Sequence, residues 1–235
     1  MNPLFRACVA ELIGTFTLTF IGAGAIITNV QNGAGGGGGL VAIALAHGLA
    51  LSMAVYATGH VSGGHINPAV TCAMAATRRI KLGPGIAYII SQLAGATIAA
   101  FLLKQLFPET AVSVAQLGAT LGGEENAKLL GFGGTLFLEA ILTFLLITTI
   151  FGVAVDSRGP KNIYGFAIGL TICFDILAAG PLTGASMNPA RSFGPALVGG
   201  YWDMHCAYWL GPILGAVAGA LIYDNVLLVK EQKSG

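Results

Sequence analysis

Apolar residues in this chain come in long blocks, not at every second or third position. Six blocks are long enough to cross the hydrocarbon of a bilayer, which takes about 20 mostly apolar residues. They run roughly over 5–29, 40–60, 83–103, 130–155, 162–182 and 205–229. The first could pass for a secretory leader. It is longer than a typical leader core and carries Glu11, so it reads as a retained span. Two shorter apolar stretches, about 67–77 and 188–199, each begin at Asn-Pro-Ala. At 1.5 Å per residue, about 11 residues reach roughly half-way across the hydrocarbon. They predict re-entrant half-helices. Asn67 and Asn188 would be the N-caps, and Pro68 and Pro189 would sit in the first turn, where a missing N–H removes no bond.

The two halves repeat each other. Glu11-Leu-Ile-Gly-Thr-Phe16 matches Glu139-Ala-Ile-Leu-Thr-Phe144, and Ser62–Thr71 matches Thr183–Ser192. Ala87-Tyr88 and Gly95-Ala96 match Ala207-Tyr208 and Gly215-Ala216. The offsets of 128, 121 and 120 residues stay nearly in step, which marks a duplication. Repeat one covers about 1–105, a connection about 106–129, and repeat two about 130–235 of a single domain. Three spans per repeat make the second copy enter from the opposite side. The half-helices should then meet, N-terminus to N-terminus, near the midplane. The stretches before them, Ser62–Ile66 and Leu182–Met187, are expected to be non-helical. Irregular backbone at that depth is tolerated where it is buried in protein or lines a wet cavity. Gly63, Gly64, His65, Gly184, Ser186 and Met187 are therefore candidates to line a pore with backbone carbonyls.

Composition agrees with a bilayer setting: 9% of the 235 residues are charged and 55% are hydrophobic, and mean hydropathy is +0.79. The expected fold class is an all-α membrane protein with six spans and two half-helices. With the N-terminus inside, Arg6, Arg78, Arg79, Lys81, Arg158, Lys161, Lys230 and Lys233 fall on the cytoplasmic side, and only Lys104 and Lys128 outside. Eight against two is the direction of the positive-inside rule, so both termini should be cytoplasmic; the host membrane stays open. The net charge of +1 gives no reason to expect a nucleic-acid partner. Cys8, Cys72, Cys173 and Cys206 lie in apolar stretches without metal-ligand spacing and read as small buried hydrophobes, so no metal or cofactor is expected. Gly33–Gly39 lacks the Lys-Ser/Thr of a phosphate loop and reads as a flexible connection.

At the two Asn-Pro-Ala boxes (Asn67-Pro68-Ala69 and Asn188-Pro189-Ala190), Ala10-Glu11, the Ser62-Gly-Gly-His65 lead-in and Asn188-Pro-Ala-Arg-Ser-Phe-Gly-Pro195, the chain resembles the aquaporin (major intrinsic protein) family over nearly its whole length. Ala46-His47-Gly48 and the run from Gly180-Pro181 to Asn188 look most like its tonoplast intrinsic group. The resemblance implies a homotetramer with one pore per subunit, passing water and small neutral solutes and excluding protons and ions. It places a selectivity filter at His47, Ile176, Ala185 and Arg191. That filter resembles those of tonoplast members, some of which pass ammonia or urea. Ser192, Ala196, Tyr208 and Trp209 differ from what glycerol-conducting members tend to carry.

Several side chains keep two readings. Glu11 and Glu139, at equivalent repeat positions, are structural carboxylates bonded to the non-helical segments, or members of a proton relay. His65 offers its carbonyl to the pore while its ring braces the loop. Asp175 adjoins Ile176, where the tonoplast group tends to have asparagine, and has no assigned role. A serine hydrolase built on Ser186 would need a histidine partner that the pattern does not supply, so no catalytic residue and no enzyme activity is expected. A coupled transporter shares inverted repeats, but would normally need intramembrane acids for ion coupling.

Overall fold

A computed structural model describes residues 2–33, 38–121 and 124–229. Residues 34–37, within the glycine-rich connection, and the basic residues Lys230 and Lys233 lie outside the described residues.

Among the described residues there are six helices long and apolar enough to span: Pro3–Gln31 (α1), Gly39–Ser62 (α2), Leu82–Leu106 (α4), a span over Leu129–Val155, Tyr164–Thr183 (α7) and one over Ala207–Leu227. The fourth belongs to α6 (Glu124–Ile150), which Gly131, at φ 60°, ψ −175°, interrupts near its start. The sixth begins as α9 (Ala207–Ile222). Both end in a single π turn, Phe151–Val155 and Tyr223–Leu227. The half-helices are Pro68–Ala76 (α3) and Pro189–Gly199 (α8). The sequence-derived spans agree to within a few residues. The connection at 106–129 is more structured than expected, with a short helix Glu109–Val114 (α5) and a 3-10 turn Gln116–Gly118.

Each repeat packs around its own first span: α1 lies on α2 and α4, and α6 on α7 and α9. Across the seam α2 meets α7, and each half-helix lodges against the last span of the other repeat, α3 on α9 and α8 on α4. Small residues permit these contacts. Gly48 and Gly169 face each other at the α2–α7 crossing, where a Cβ on either would run into the other's carbonyl. Without a hydrophobic drive between helices in lipid, such close backbone approach is a main source of association. Leu49, Met53, Ile90, Phe101, Phe137 and Leu214 point outward and are at least 48% exposed, an apolar girdle that a bilayer would cover.

Six crossings bring the start of the first span and the end of the last to one face. There Arg79 pairs with Asp224 at 2.7 Å, and Asp156 receives Arg158 at 2.9 and 2.5 Å and the Tyr223 hydroxyl at 3.3 Å. Arg158 also reaches the carbonyl of Leu227 at 2.8 Å, so the α6–α7 connection is tied to the end of the last span. The paired guanidinium holds the Asp156 carboxyl well below the usual aspartate range.

Candidate functional site: two clasped half-helices and a three-sided constriction

The left-handed residues before the half-helices recur in register. Gly63 and Gly184 end α2 and α7 at φ 91° and 84°, Gly64 and Ala185 follow at 62° and 43°, and Ile66 and Met187 at 54° and 53°. Such backbone in a non-glycine residue costs about 1–3 kcal/mol and persists only where the surroundings hold it. The two buried glutamates do the holding. Glu139 accepts from the Ser186 and Met187 amides at 2.9 and 2.7 Å and from the Thr183 hydroxyl at 2.8 Å. Glu11 accepts from the His65 and Ile66 amides at 2.9 and 2.6 Å, the Ser62 hydroxyl at 2.6 Å and Gln92 Nε2 at 2.7 Å. Tyr88 and Tyr208 repeat as well, donating to the carbonyls of Ser62 and Thr183 at 2.8 and 2.6 Å.

The half-helix N-termini meet. Asn67 Oδ1 caps the amide of Ala69 at 2.8 Å, and Asn188 Oδ1 caps those of Ala190 and Arg191 at 3.0 and 3.3 Å. Each asparagine also reaches across: Asn67 Nδ2 donates to the carbonyl of Met187 at 2.7 Å, and Asn188 Nδ2 to that of Ile66 at 2.9 Å. An amide nitrogen has two donors. One is used in this clasp, and the other remains for the cavity that both asparagines line.

That inner cavity, about 220 Å³, runs from Tyr164 and Val155 at the basic end, past Asn67 and Asn188, to Arg191. Its wall is largely aliphatic, with Gly63, Gly64, His65 and Ser186 on its polar side. A second cavity, about 510 Å³, opens beyond it and includes Gly184. Three residues line both cavities: His47, Ile176 and Arg191. They stand where the two cavities meet. Ala185 lines the inner cavity only. Met187 lines neither, and its carbonyl accepts from Asn67. Nor does any of the four cysteines line either cavity.

Arg191 is 3% exposed, and no carboxylate among the described residues forms an ion pair with it. Its Nη1 donates to the carbonyl of Gly118 at 2.7 Å and its Nη2 meets His47 Nε2 at 3.1 Å. The carbonyl of Ile43 lies 2.9 Å from His47 Nδ1 and can only accept, so Nδ1 carries the proton and Nε2 is the acceptor for Arg191. The guanidinium is thereby drawn onto the wall. Gly118 was missed by sequence reasoning, since a backbone carbonyl has no residue-type signature. Gln92, which bridges Glu11 and Thr71 at 2.7 and 3.1 Å, was missed because one amide in an apolar span has many explanations. The His65 ring meets Thr71 Oγ1 at 3.1 Å and packs edge-on against Tyr88. Asp175, 1% exposed, has no hydrogen-bond partner for either oxygen among the described residues.

A bundle of inverted repeats, with paired half-helices and two cavities meeting at three shared residues, has the architecture of a membrane channel. Residues 2–223 match the profile of the major intrinsic protein family. Aquaporin TIP4-4 of Zea mays is 44% identical over 230 residues, spanning 96% of this chain and 88% of its own. Aquaporin TIP2-1 of Arabidopsis thaliana is 42% identical over 95% and 88%. Aquaporin AqpM of Methanothermobacter thermautotrophicus is 40% identical over 95% and 98%. Among solved structures, the aquaglyceroporin from Plasmodium falciparum superimposes with a TM-score of 0.82 at 25% identity, over 95% of this chain and 97% of that one. The chain belongs to the major intrinsic protein family: it is a multi-pass transmembrane channel for water and small solutes, not an enzyme.

Proposed function

We propose that this channel conducts water and ammonia, rejects glycerol and excludes protons. The observation that carries the reading is the position of Arg191, bonded to Gly118 and His47 and drawn aside from the lumen. A constriction walled by His47, Ile176 and Arg191 combines one aliphatic face with donors on the other. That suits a small neutral solute able to accept a hydrogen bond. Ala185, just inside, adds little bulk. Glycerol is larger and needs hydroxyl partners. The Ser192 hydroxyl is already engaged with those of Thr120 and Ser186, at 2.7 and 2.5 Å.

Proton exclusion follows from the midplane. Each half-helix presents about half a positive charge at its N-terminus, and Asn67 and Asn188 each keep one amide donor. A water there turns its oxygen to both, so its hydrogens point outward and a continuous proton wire is interrupted. Gly63, Gly64, His65, Gly184 and Ser186 are the backbone lining on this reading. The termini and the basic face are cytoplasmic, and four copies, each with its own pore, make the unit that the family likeness implies.

The test is stopped-flow light scattering of proteoliposomes with water, glycerol and ammonium gradients in parallel, with an internal pH dye. Expected are fast osmotic shrinkage, measurable ammonia entry, glycerol flux near the lipid background and no proton leak. His47→Phe with Ile176→His should suppress ammonia while sparing water. Glycerol outrunning ammonia in the wild type, or ammonia flux unaltered in the double variant, overturns the reading.

A further inference from the structure

The connection between the repeats folds over the outer cavity and joins the constriction. Gln116, Leu117 and Gly118 are consecutive left-handed residues at φ 48°, 53° and 68°. This turn points the Gly118 carbonyl at Arg191. It is wedged in place: a Cβ on Gly118 would meet Ala23 of α1 at 2.7 Å, and Leu117 is fully buried. Two residues on, Thr120 lies against Gly184, whose added Cβ would come within 3.0 Å of the threonine Cα.

Thr120 also heads a line of buried hydroxyls. Its Oγ1 is 2.7 Å from Ser192 Oγ, which is 2.5 Å from Ser186 Oγ, which donates to the carbonyl of Asn188 at 2.9 Å. Each hydroxyl has one proton to give. Ser186 gives its own to a carbonyl that can only accept. Ser192 must then donate to Ser186, and Thr120 to Ser192. The order is fully determined, and all three residues are at most 4% exposed.

We propose that Thr120 is a positioning residue for selectivity: its hydroxyl pins the connection to the second half-helix at the height where Gly118 holds Arg191 against the wall. Without that bond the connection lifts. Arg191 Nη1 then loses its acceptor, and the guanidinium turns into the lumen and narrows it. The inference rests on the reading of Arg191 as the constriction's selective cation. It adds a specificity determinant that touches no permeant.

Thr120→Val removes the hydroxyl with little change in shape. The ammonia-to-water permeability ratio should fall by roughly threefold to tenfold, the population shift that one neutral buried hydrogen bond is worth. Thr120→Ser, which keeps the donor, should restore the wild-type ratio, as a packing role would not. In an Arg191→Val background, Thr120→Val should have no further effect on the ratio. Thermal unfolding in detergent identifies a variant that fails to fold. In that case Thr120→Ser against Thr120→Ala carries the same comparison. If Arg191→Val alone leaves the ratio unchanged, the reading of the constriction is wrong. If it changes the ratio but Thr120→Val does not, or if Thr120→Val acts equally without Arg191, the role assigned to Thr120 is wrong.

Discussion

Replacing Glu139 by glutamine removes one charge and converts one acceptor into a donor, at almost constant volume. The carboxylate takes three hydrogen bonds, from Thr183, Ser186 and Met187. A bond to a charged group is worth about 1.5–3 kcal/mol and a neutral one about 0.5–1.5. In its better orientation the glutamine oxygen keeps Thr183 and Ser186 as neutral bonds and turns its NH2 toward the Met187 amide, another donor. One bond is lost and two are weakened, about 4 kcal/mol in all. In a chain of this size each kcal/mol moves the midpoint by about 2–4 °C, so the Tm of the detergent-solubilised protein should fall by roughly 10 °C. Function should fall with it. With its amide released, Met187 shifts and its carbonyl is displaced from Asn67, so water permeability per inserted channel should drop. Glu11→Gln should be at least as severe, because Glu11 has a fourth donor in Gln92. Differential scanning fluorimetry and stopped-flow shrinkage on matched reconstitutions decide the matter. A Tm within about 2 °C of wild type, with unaltered water flux, would refute the claim that this carboxylate holds the left-handed segment.

Three further outcomes are expected. Mercurials should leave water flux intact, since no cysteine lines either cavity, while Ala185→Cys should confer block that thiol reductants reverse; strong block of the wild type contradicts this. Asp175→Asn should raise the Tm, because it removes the possibility of a buried, unpartnered charge; a lower Tm would mean that the carboxylate has a stabilising partner. Asp156 is held below its ordinary value by Arg158, so its contribution is complete above about pH 4 and is lost as pH falls through the depressed value. Asp156→Asn should therefore destabilise at neutral pH and lose its effect in strong acid, and a Tm difference independent of pH from 7 to about 2 would contradict the pairing.

Spans, repeat and half-helices were legible because hydropathy and duplication act over many residues at once. Tyr88 and Tyr208 could be paired from alignment alone, and their hydrogen bonds turn out equivalent. Helix ends were less legible. The helices run past the apolar blocks, as Gln31 and Leu106 do, because backbone bonding continues where the hydrophobic signal stops. The π turns at Phe151 and Tyr223 leave no trace in composition. The constriction was only partly readable. His47, Ile176 and Arg191 have residue identities that a pattern can flag, but the Gly118 carbonyl depends on a left-handed turn built by tertiary packing. Met187 has a further contact that its position did not announce: its carbonyl accepts from the asparagine of the other repeat.

The reciprocal asparagine clasp also sets a timetable for synthesis. The partners lie 120 and 122 residues apart in the chain. At ribosomal rates of about 5–20 residues per second, the first loop waits roughly ten seconds for its counterpart to emerge. During that interval the Ile66 carbonyl and Asn67 amide lack their native partners, so a nascent first half can be held at the insertion machinery but cannot mature there. A chain truncated after repeat one thus lacks both partners of the clasp. Two separately translated halves should become resistant to degradation only when both are made together.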